Sequence, residues 1–246
     1  MKKIFLFSLS ALLLLISGYV EARPLDADLT IRSIDIDHDF SGINIILFGA
    51  RNAPGNIVVA LRGPDKNYVV RKKERTAGIW VNTESTVFRD VESLYTLAST
   101  FDSFEDSKSP VLLSNMALGI SNLDINGYVR GETPIDDFRK AFIDHMIDKK
   151  LYKSDIYEIG FWGETLFRTV LKFPKSISEG IYTAEIYLIS DGELIAVQTT
   201  PIKVEKIGFE AFIYDLAHGH KLLYGVICIL TALIAGWGAS ALFGRM

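Results

Sequence analysis

Cysteine is nearly missing from this 246-residue chain, which contains a single one, Cys228. One cysteine excludes an intrachain disulfide framework and a cysteine-rich metal site. An excess of positive charge is missing as well: 26 Lys and Arg stand against 30 Asp and Glu, so composition gives no indication of nucleic-acid binding. We find no Gly-x-Ser-x-Gly, no Ser-x-x-Lys, no phosphate-binding loop and no dinucleotide fingerprint. The sequence therefore offers neither a catalytic residue nor a cofactor, and it favours a protein that is not an enzyme.

Long apolar runs are lacking except at the two chain ends. Residues 1–22 hold 15 hydrophobic residues and residues 222–243 hold 17, and these segments account for the positive mean hydropathy of +0.23. The remainder has the composition of an ordinary globular protein. Composition therefore excludes both a polytopic membrane protein and a disordered chain.

The N-terminal segment has the three parts of a signal peptide. Lys2 and Lys3 precede an apolar run at residues 4–16, and Val20 and Ala22 approximate the small-residue cleavage pattern. Thirteen residues of helix span only about 20 Å, which is too short to cross a membrane. We predict a signal peptide over 1–22 that is cut after Ala22; an uncleaved anchor is the alternative.

The C-terminal segment is long enough to span a bilayer. Residues 222–243 contain no charge, and 22 residues form about 33 Å of helix. We predict a transmembrane helix there, with a buried core helix as the alternative, and a cytoplasmic tail at 244–246. With the signal peptide, this predicts a single-pass protein of the bacterial inner membrane. The domain over 23–220 would lie in the periplasm, with a net charge of −7.

The sequence of the exported domain predicts strands, then helices, then strands. Alternating or apolar runs separated by turn residues predict an antiparallel, Ig-like sandwich with a helical insertion at about 90–150, or two packed subdomains. Asp191-Gly192 predicts a hairpin turn. The predicted strands are 29–37, 43–48, 57–61, 68–71, 166–173, 180–188, 193–199 and 202–207.

One helix is clearly indicated in the insertion. Apolar residues at spacings of three and four predict an amphipathic helix over 134–150, with Thr133 as N-cap and Pro134 at the first helical position. Residues 90–101 and 110–118 are weaker helix candidates.

Two clusters could bind a ligand. The basic residues Arg71, Lys72, Lys73 and Arg75 could dock an anion or lipid head groups, or could form a solvated strand end. His218 and His220 could supply two metal ligands, with Asp215 as a third, or could form a polar linker at the membrane. Asp35, Asp37 and Asp39 fail the EF-hand pattern and read as a solvated strand face.

The predicted membrane helix carries small residues at a spacing of four. Ala232, Gly236 and Ser240 would lie on one face, where another helix could approach closely. This favours packing against a polytopic membrane protein, although small residues are common in such helices.

Several short strings together resemble a known family. They include Gly78-Ile79-Trp80, Leu166-Phe167-Arg168, Gly180-Ile181-Tyr182 and Gly236-Trp237. The chain resembles, over nearly its whole length, the family of transmembrane proteins described from alphaproteobacteria. The resemblance implies no catalytic residues. It does imply a partner, because genes of this family are described beside those of a sulfite/sulfonate exporter family.

Three residues in these strings have structural interpretations. Trp80 is expected in the core, Arg168 is expected to face inward beside a carboxylate, and Tyr182 is expected in the core. For function, the sequence favours a non-enzymatic accessory subunit of a membrane complex. A membrane-tethered module that binds an anion or a metal is the alternative.

Overall fold

The structure is a computed structural model that describes residues 23–101 and 110–243. The predicted signal peptide and the predicted tail lie outside the described residues. Within them the fold is mostly β, as predicted. The strands are β1 Leu25–Leu29, β2 Ser33–Ile36, β3 Gly42–Arg51, β4 Asn56–Arg62, β5 Asp65–Thr76, β6 Ile79–Glu92, β7 Tyr95–Ser99, β8 Gly127–Arg130, β9 Tyr157–Glu158, β10 Gly160–Trp162, β11 Leu166–Pro174, β12 Gly180–Ser190 and β13 Glu193–Lys206. The helices are α1 Pro110–Asn115, α2 Ile135–Asp148, α3 Phe209–Gly219 and α4 Lys221–Phe243, with a 3₁₀ turn at Ile120–Asn122.

The strands form three sheets. Sheet A has the order β1-β3-β11-β10, sheet B the order β2-β13-β12-β4-β7-β9, and sheet C the order β5-β6-β8. Neighbouring strands are antiparallel except β2 with β13 and β7 with β9, which pair in parallel at the two edges of sheet B. The predicted antiparallel β architecture is therefore confirmed, while its Ig-like topology stays a prediction.

The core lies where sheet A meets sheet B. β11 alternates strictly, with Phe167, Thr169, Leu171 and Phe173 buried and the residues between them facing outward. The ring of Phe173 lies 5.6 Å from the ring of Tyr182 on β12, so the two sheets contact each other through these side chains. Tyr182 is fully buried, as predicted. The buried side chains form one contiguous cluster.

Helix α2 covers the inner face of sheet C. Its buried Phe142 contacts the rings of Tyr68 and Phe88, at centroid distances of 4.9 and 5.4 Å, and the ring of Tyr152 at 6.1 Å. Aromatic contacts of this kind add to the stabilisation that burial of the rings provides. The apolar spacing thus correctly predicted this helix.

The start of α2 differs from the prediction. The helix begins at Ile135 with Pro134 as N-cap, and no side chain caps it. Thr133 lies just outside, because its backbone N–H donates to the Glu84 carboxylate at 2.8 Å and its hydroxyl accepts from Lys72 at 3.2 Å. These contacts fix the entry of α2 to sheet C.

Three segments of secondary structure also differ. Residues 29–37 split between β1 and β2, which belong to different sheets. Residues 90–101, a weak helix candidate, contain β7, in which every residue is buried between β4 and β9. Residues 193–206 form one strand rather than two, because β2 pairs with β13 only from Lys203 onward and Pro201 needs no partner on that side.

The interpretations of Trp80 and Arg168 were wrong. Trp80 is 69% exposed, because the β5–β6 hairpin extends past the core and no element among the described residues covers its end. Arg168 faces outward on β11, and its guanidinium lies 4.1 Å from the ring of Trp162 instead of beside a carboxylate.

Candidate functional site

A cleft of about 680 Å³ opens between sheet A and sheet B, next to the C-terminal end of α2. The start of β3 and the end of β11 form one wall, and β7, β9 and the segment after α2 form the other. Its volume is in the range of pockets that hold small organic molecules. Three lysines line the cleft together with four apolar residues: Lys150, Lys153, Lys172, Ile43, Ile147, Phe173 and Pro174.

Two of these lysines meet at one aromatic ring. The ammonium of Lys153 lies 3.7 Å from the ring centroid of Tyr157, and that of Lys172 lies 4.9 Å from the same centroid. The negative ring face attracts each cation but cannot neutralise two of them. Within residues 23–101 and 110–243, neither ammonium has a carboxylate at ion-pairing distance. The site therefore holds two positive charges that an anion could bridge.

The backbone around these lysines is well defined. The N–H of Lys153 donates to the carbonyl of Tyr95 at 3.2 Å, which ties the segment after α2 to β7. Lys172 is exposed on β11 between the buried Leu171 and Phe173, and its ammonium extends to the ring of Tyr157 on β9, the edge strand of sheet B. Asp155 is the acidic residue of the described lining, which also contains three lysines.

Lys150 ends α2 in a left-handed conformation, with φ of 61°. The N–H of Leu151 donates to Met146 and that of Lys150 to Ile147, which is the Schellman pattern of helix ends. The positive charge at this position complements the negative C-terminal end of the helix dipole. The charge of Lys150 therefore already interacts with the end of α2. Lys153 and Lys172 are the better candidates to bind a ligand.

A second polar cluster surrounds Arg62 on β4. Its guanidinium donates to Glu185 and Glu92, each at 2.8 Å, and to the carbonyls of Met116 at 2.8 Å and Ala117 at 3.2 Å. Burial alone would lower the pKa of Arg62, but the hydrogen bond and the charge of Glu185 outweigh it and raise that pKa. Four of its five N–H groups make these bonds, so this cluster holds the segment after α1 against sheet B.

The basic run at 71–75 is divided between the two faces of sheet C. Arg71, Lys73 and Arg75 point outward and are exposed. Lys72 points to the other face, where its ammonium lies 2.8 Å from Glu74 and 4.0 Å from Glu84. The hydrogen bond from Lys72 to Glu74 raises the pKa of the lysine, and the N–H of Thr133 lowers the pKa of Glu84. The structure therefore brings three of the four predicted residues together.

The two predicted metal ligands lie at the end of α3 and the start of α4. His218 stacks on Tyr214 at 4.1 Å, with its Nδ1 2.9 Å from the carbonyl of the same residue, and His220 is exposed. In the part of the chain that the structure describes, no group of three or more His, Cys, Asp or Glu side chains is placed to hold a metal ion. Metal binding at this pair stays a prediction.

Helix α4 is long and apolar enough to cross a membrane over Lys221–Ser240, and none of that window is buried against the rest of the chain. Ala232, Gly236 and Ser240 are exposed on it, and a Cβ added to Gly236 would meet no atom within 4 Å. The small-residue face is therefore open to a partner helix.

A mostly β domain followed by one exposed apolar helix fits a single-pass membrane protein. The family model described as "Putative transmembrane protein (Alph_Pro_TM)" matches residues 24–245, so the chain belongs to that family. The resemblance of the short strings is thereby confirmed. None of the curated proteins compared with the chain matches it.

Sequence reasoning missed the cleft between the sheets. Lys153 and Lys172 lie on different elements, and no spacing in the sequence connects them. One signal was present: three lysines, at 149, 150 and 153, lie close together around the end of the predicted helix. Positive charges at the end of a helix are common because they complement the helix dipole, so these lysines alone do not indicate a ligand.

Proposed function

We propose that the chain is a non-enzymatic accessory subunit of a membrane complex, with its β-rich domain in the periplasm, and that this domain binds a small organic anion. The observation that carries the proposal is the pair of ammonium groups at Tyr157, which have no carboxylate beside them in the described residues. A bridging anion would relieve their mutual repulsion through charge-assisted hydrogen bonds.

The lining of the cleft suggests the class of anion. Apolar side chains of Ile43, Ile147 and Phe173 adjoin the lysines, so the cleft suits an acid group attached to a short apolar part. A small sulfonate or carboxylate has this chemistry. The family resemblance to proteins encoded beside a sulfite/sulfonate exporter supports a sulfonate and suggests such an exporter as the partner.

Isothermal titration calorimetry of the full chain in detergent tests the binding. We expect ethanesulfonate to bind more tightly than sulfate, which lacks the apolar part. Lys153→Gln and Lys172→Gln should each weaken binding at least about tenfold, the loss expected for a hydrogen bond to a charged group. Lys140→Gln, an exposed lysine of α2 outside the cleft, should leave binding unchanged. Absence of binding, or equal losses in all three variants, would contradict the proposal.

The partner is tested separately through α4. Gly236→Ile should abolish co-purification with a polytopic partner from native membranes, because the larger side chain keeps the helices apart. Gly238→Ile is the matched control: the residue lies two positions on, near the opposite side of the helix, and a Cβ there also meets no atom within 4 Å. Co-purification that survives Gly236→Ile would contradict the accessory role at this face.

A further inference from the structure

The outward face of sheet C, which we call the basic face, concentrates cations and aromatic rings. Residues paired directly across the strands share a face, and the pairs Arg71 with Ser85, Lys73 with Asn82 and Arg75 with Trp80 join β5 to β6. The pairs Ser85 with Arg130 and Val87 with Tyr128 extend the same face to β8. From Val69 toward the hairpin tip, the outward residues of this face are Val69, Arg71, Lys73, Arg75, Trp80, Asn82, Ser85, Val87, Tyr128 and Arg130.

Charge is segregated between the two faces in this part of the sheet. The outward positions just named carry four cations and no carboxylate. The two glutamates of this part of the hairpin, Glu74 and Glu84, lie on the other face, where both approach Lys72. In the described residues, Arg71, Lys73 and Arg130 have no ion-pair partner. The basic face thus presents uncompensated positive charge to solvent.

The end of the hairpin adds exposed apolar surface. Trp80 is 69% exposed on the basic face, and the neighbouring Ile79 is 65% exposed at the tip. Ala77 and Gly78 form the two-residue turn with positive φ, and a Cβ at Gly78 would meet no atom within 4 Å. The tip therefore projects away from the domain, and the rings of Trp80 and Tyr128 lie beside the cations.

We propose that the basic face docks on the anionic lipid surface of the membrane in which α4 is anchored, with Trp80 at the depth of the head groups. Charge complementarity selects this occupant, because cations held near an anionic bilayer are attracted by its surface potential. Tryptophan favours the membrane–water interface, where one end of the ring is apolar and the other wet. The anchor keeps the domain close to the bilayer, so docking is intramolecular and needs little intrinsic affinity. The inference does not depend on the cleft.

Fluorescence of Trp80 tests the docking in the full chain. The chain has three tryptophans, and the Trp162→Phe/Trp237→Phe background leaves Trp80 as the sole one. This protein is placed in nanodiscs of phosphatidylcholine alone or with one quarter phosphatidylglycerol, each with and without brominated acyl chains. We expect a blue-shifted, strongly quenched Trp80 in the anionic discs and a water-exposed Trp80 in the neutral discs, with the difference removed by high salt.

Charge variants then distinguish the contribution of the basic face from an effect of the overall net charge. Arg71→Gln and Lys73→Gln should each lower the ratio of docked to free domain roughly fivefold in anionic discs. Lys72→Gln removes the same charge from the next position but on the other face, so it should have little effect. Equal Trp80 emission in the anionic and the neutral discs would overturn the proposal. That result is expected if the basic face binds an acidic protein instead of lipid. An equal loss from Lys72→Gln would overturn the proposal as well.

Discussion

Arg62→Met removes the cation that holds two carboxylates inside the domain. The side chains of Arg62, Glu92 and Glu185 are only 14, 18 and 24% exposed, so water replaces little of the lost interaction. Methionine fills a similar volume but leaves both carboxylates unpaired and near each other. It also removes a donor to the carbonyl of Met116 and one of the two side-chain donors to the carbonyl of Ala117, which keeps the hydroxyl of Tyr95.

The cost follows from these contacts. Removing one partner of a buried ion pair costs about 3–5 kcal/mol. Partial exposure of the carboxylates places Arg62→Met near the low end, at about 3 kcal/mol. The exposed ion pair of Arg32 with Asp28 serves as the control, since the two side chains are 62 and 46% exposed. Arg32→Met should lower the free energy of unfolding by less than about 1 kcal/mol.

Urea unfolding of the full chain in detergent, followed by near-ultraviolet circular dichroism, measures both variants. The deficit of Arg62→Met should shrink as the pH falls from 7 to 5. Unpaired buried carboxylates have raised pKa values, so the folded state then binds the extra protons and is stabilised at lower pH. An Arg62→Met variant no less stable than Arg32→Met would refute this reasoning.

Three further changes test other parts of the fold. Ala77→Asn should stabilise the domain by about 0.5–1 kcal/mol in urea unfolding, because Ala77 has φ of 51° in a two-residue hairpin turn, which asparagine tolerates better. Phe142→Ala should cost about 3–5 kcal/mol in the same assay, since it empties the space between α2 and sheet C. Alkaline titration should show stability falling as the pH rises from 10 toward 12, because burial raises the pKa of Tyr95 to about 12, and the unfolded state releases that proton first. Tyr95→Phe should make this decline less steep without removing it, because burial also raises the pKa values of Tyr68, Tyr152 and Tyr187.

Local patterns in the sequence predicted the elements whose one face is buried. β12 buries Tyr182, Ala184 and Ile186 in alternation, and α2 buries Phe138 and Phe142 at helical spacing. Such periodicity reports burial directly. Asp191-Gly192 was also correctly predicted as a turn, because both residues adopt the positive φ that a two-residue hairpin demands.

The errors arose where burial depends on distant partners. β7 is buried on both faces, so it shows no alternation, and its residues looked helical in isolation. Trp80 continues the alternating pattern of its hairpin. Its burial depends on whether an element distant in sequence packs against the hairpin, and the local pattern does not show this. Lys153 and Lys172 converge only because the segment after α2 pairs with β7 while β11 lies in the other sheet. Periodicity within one segment cannot report such convergence.

The position of a bound organic anion shows whether Lys153 and Lys172 bind it together. The experiment is a crystal structure of the full chain, at neutral pH, with bromoethanesulfonate at a concentration that saturates the calorimetric titration. We expect one anomalous bromine peak inside the cleft, with the sulfonate oxygens in hydrogen-bond contact with both ammonium groups beside Tyr157. A bound sulfonate at any other place, or a cleft empty at that concentration, would contradict the proposed binding.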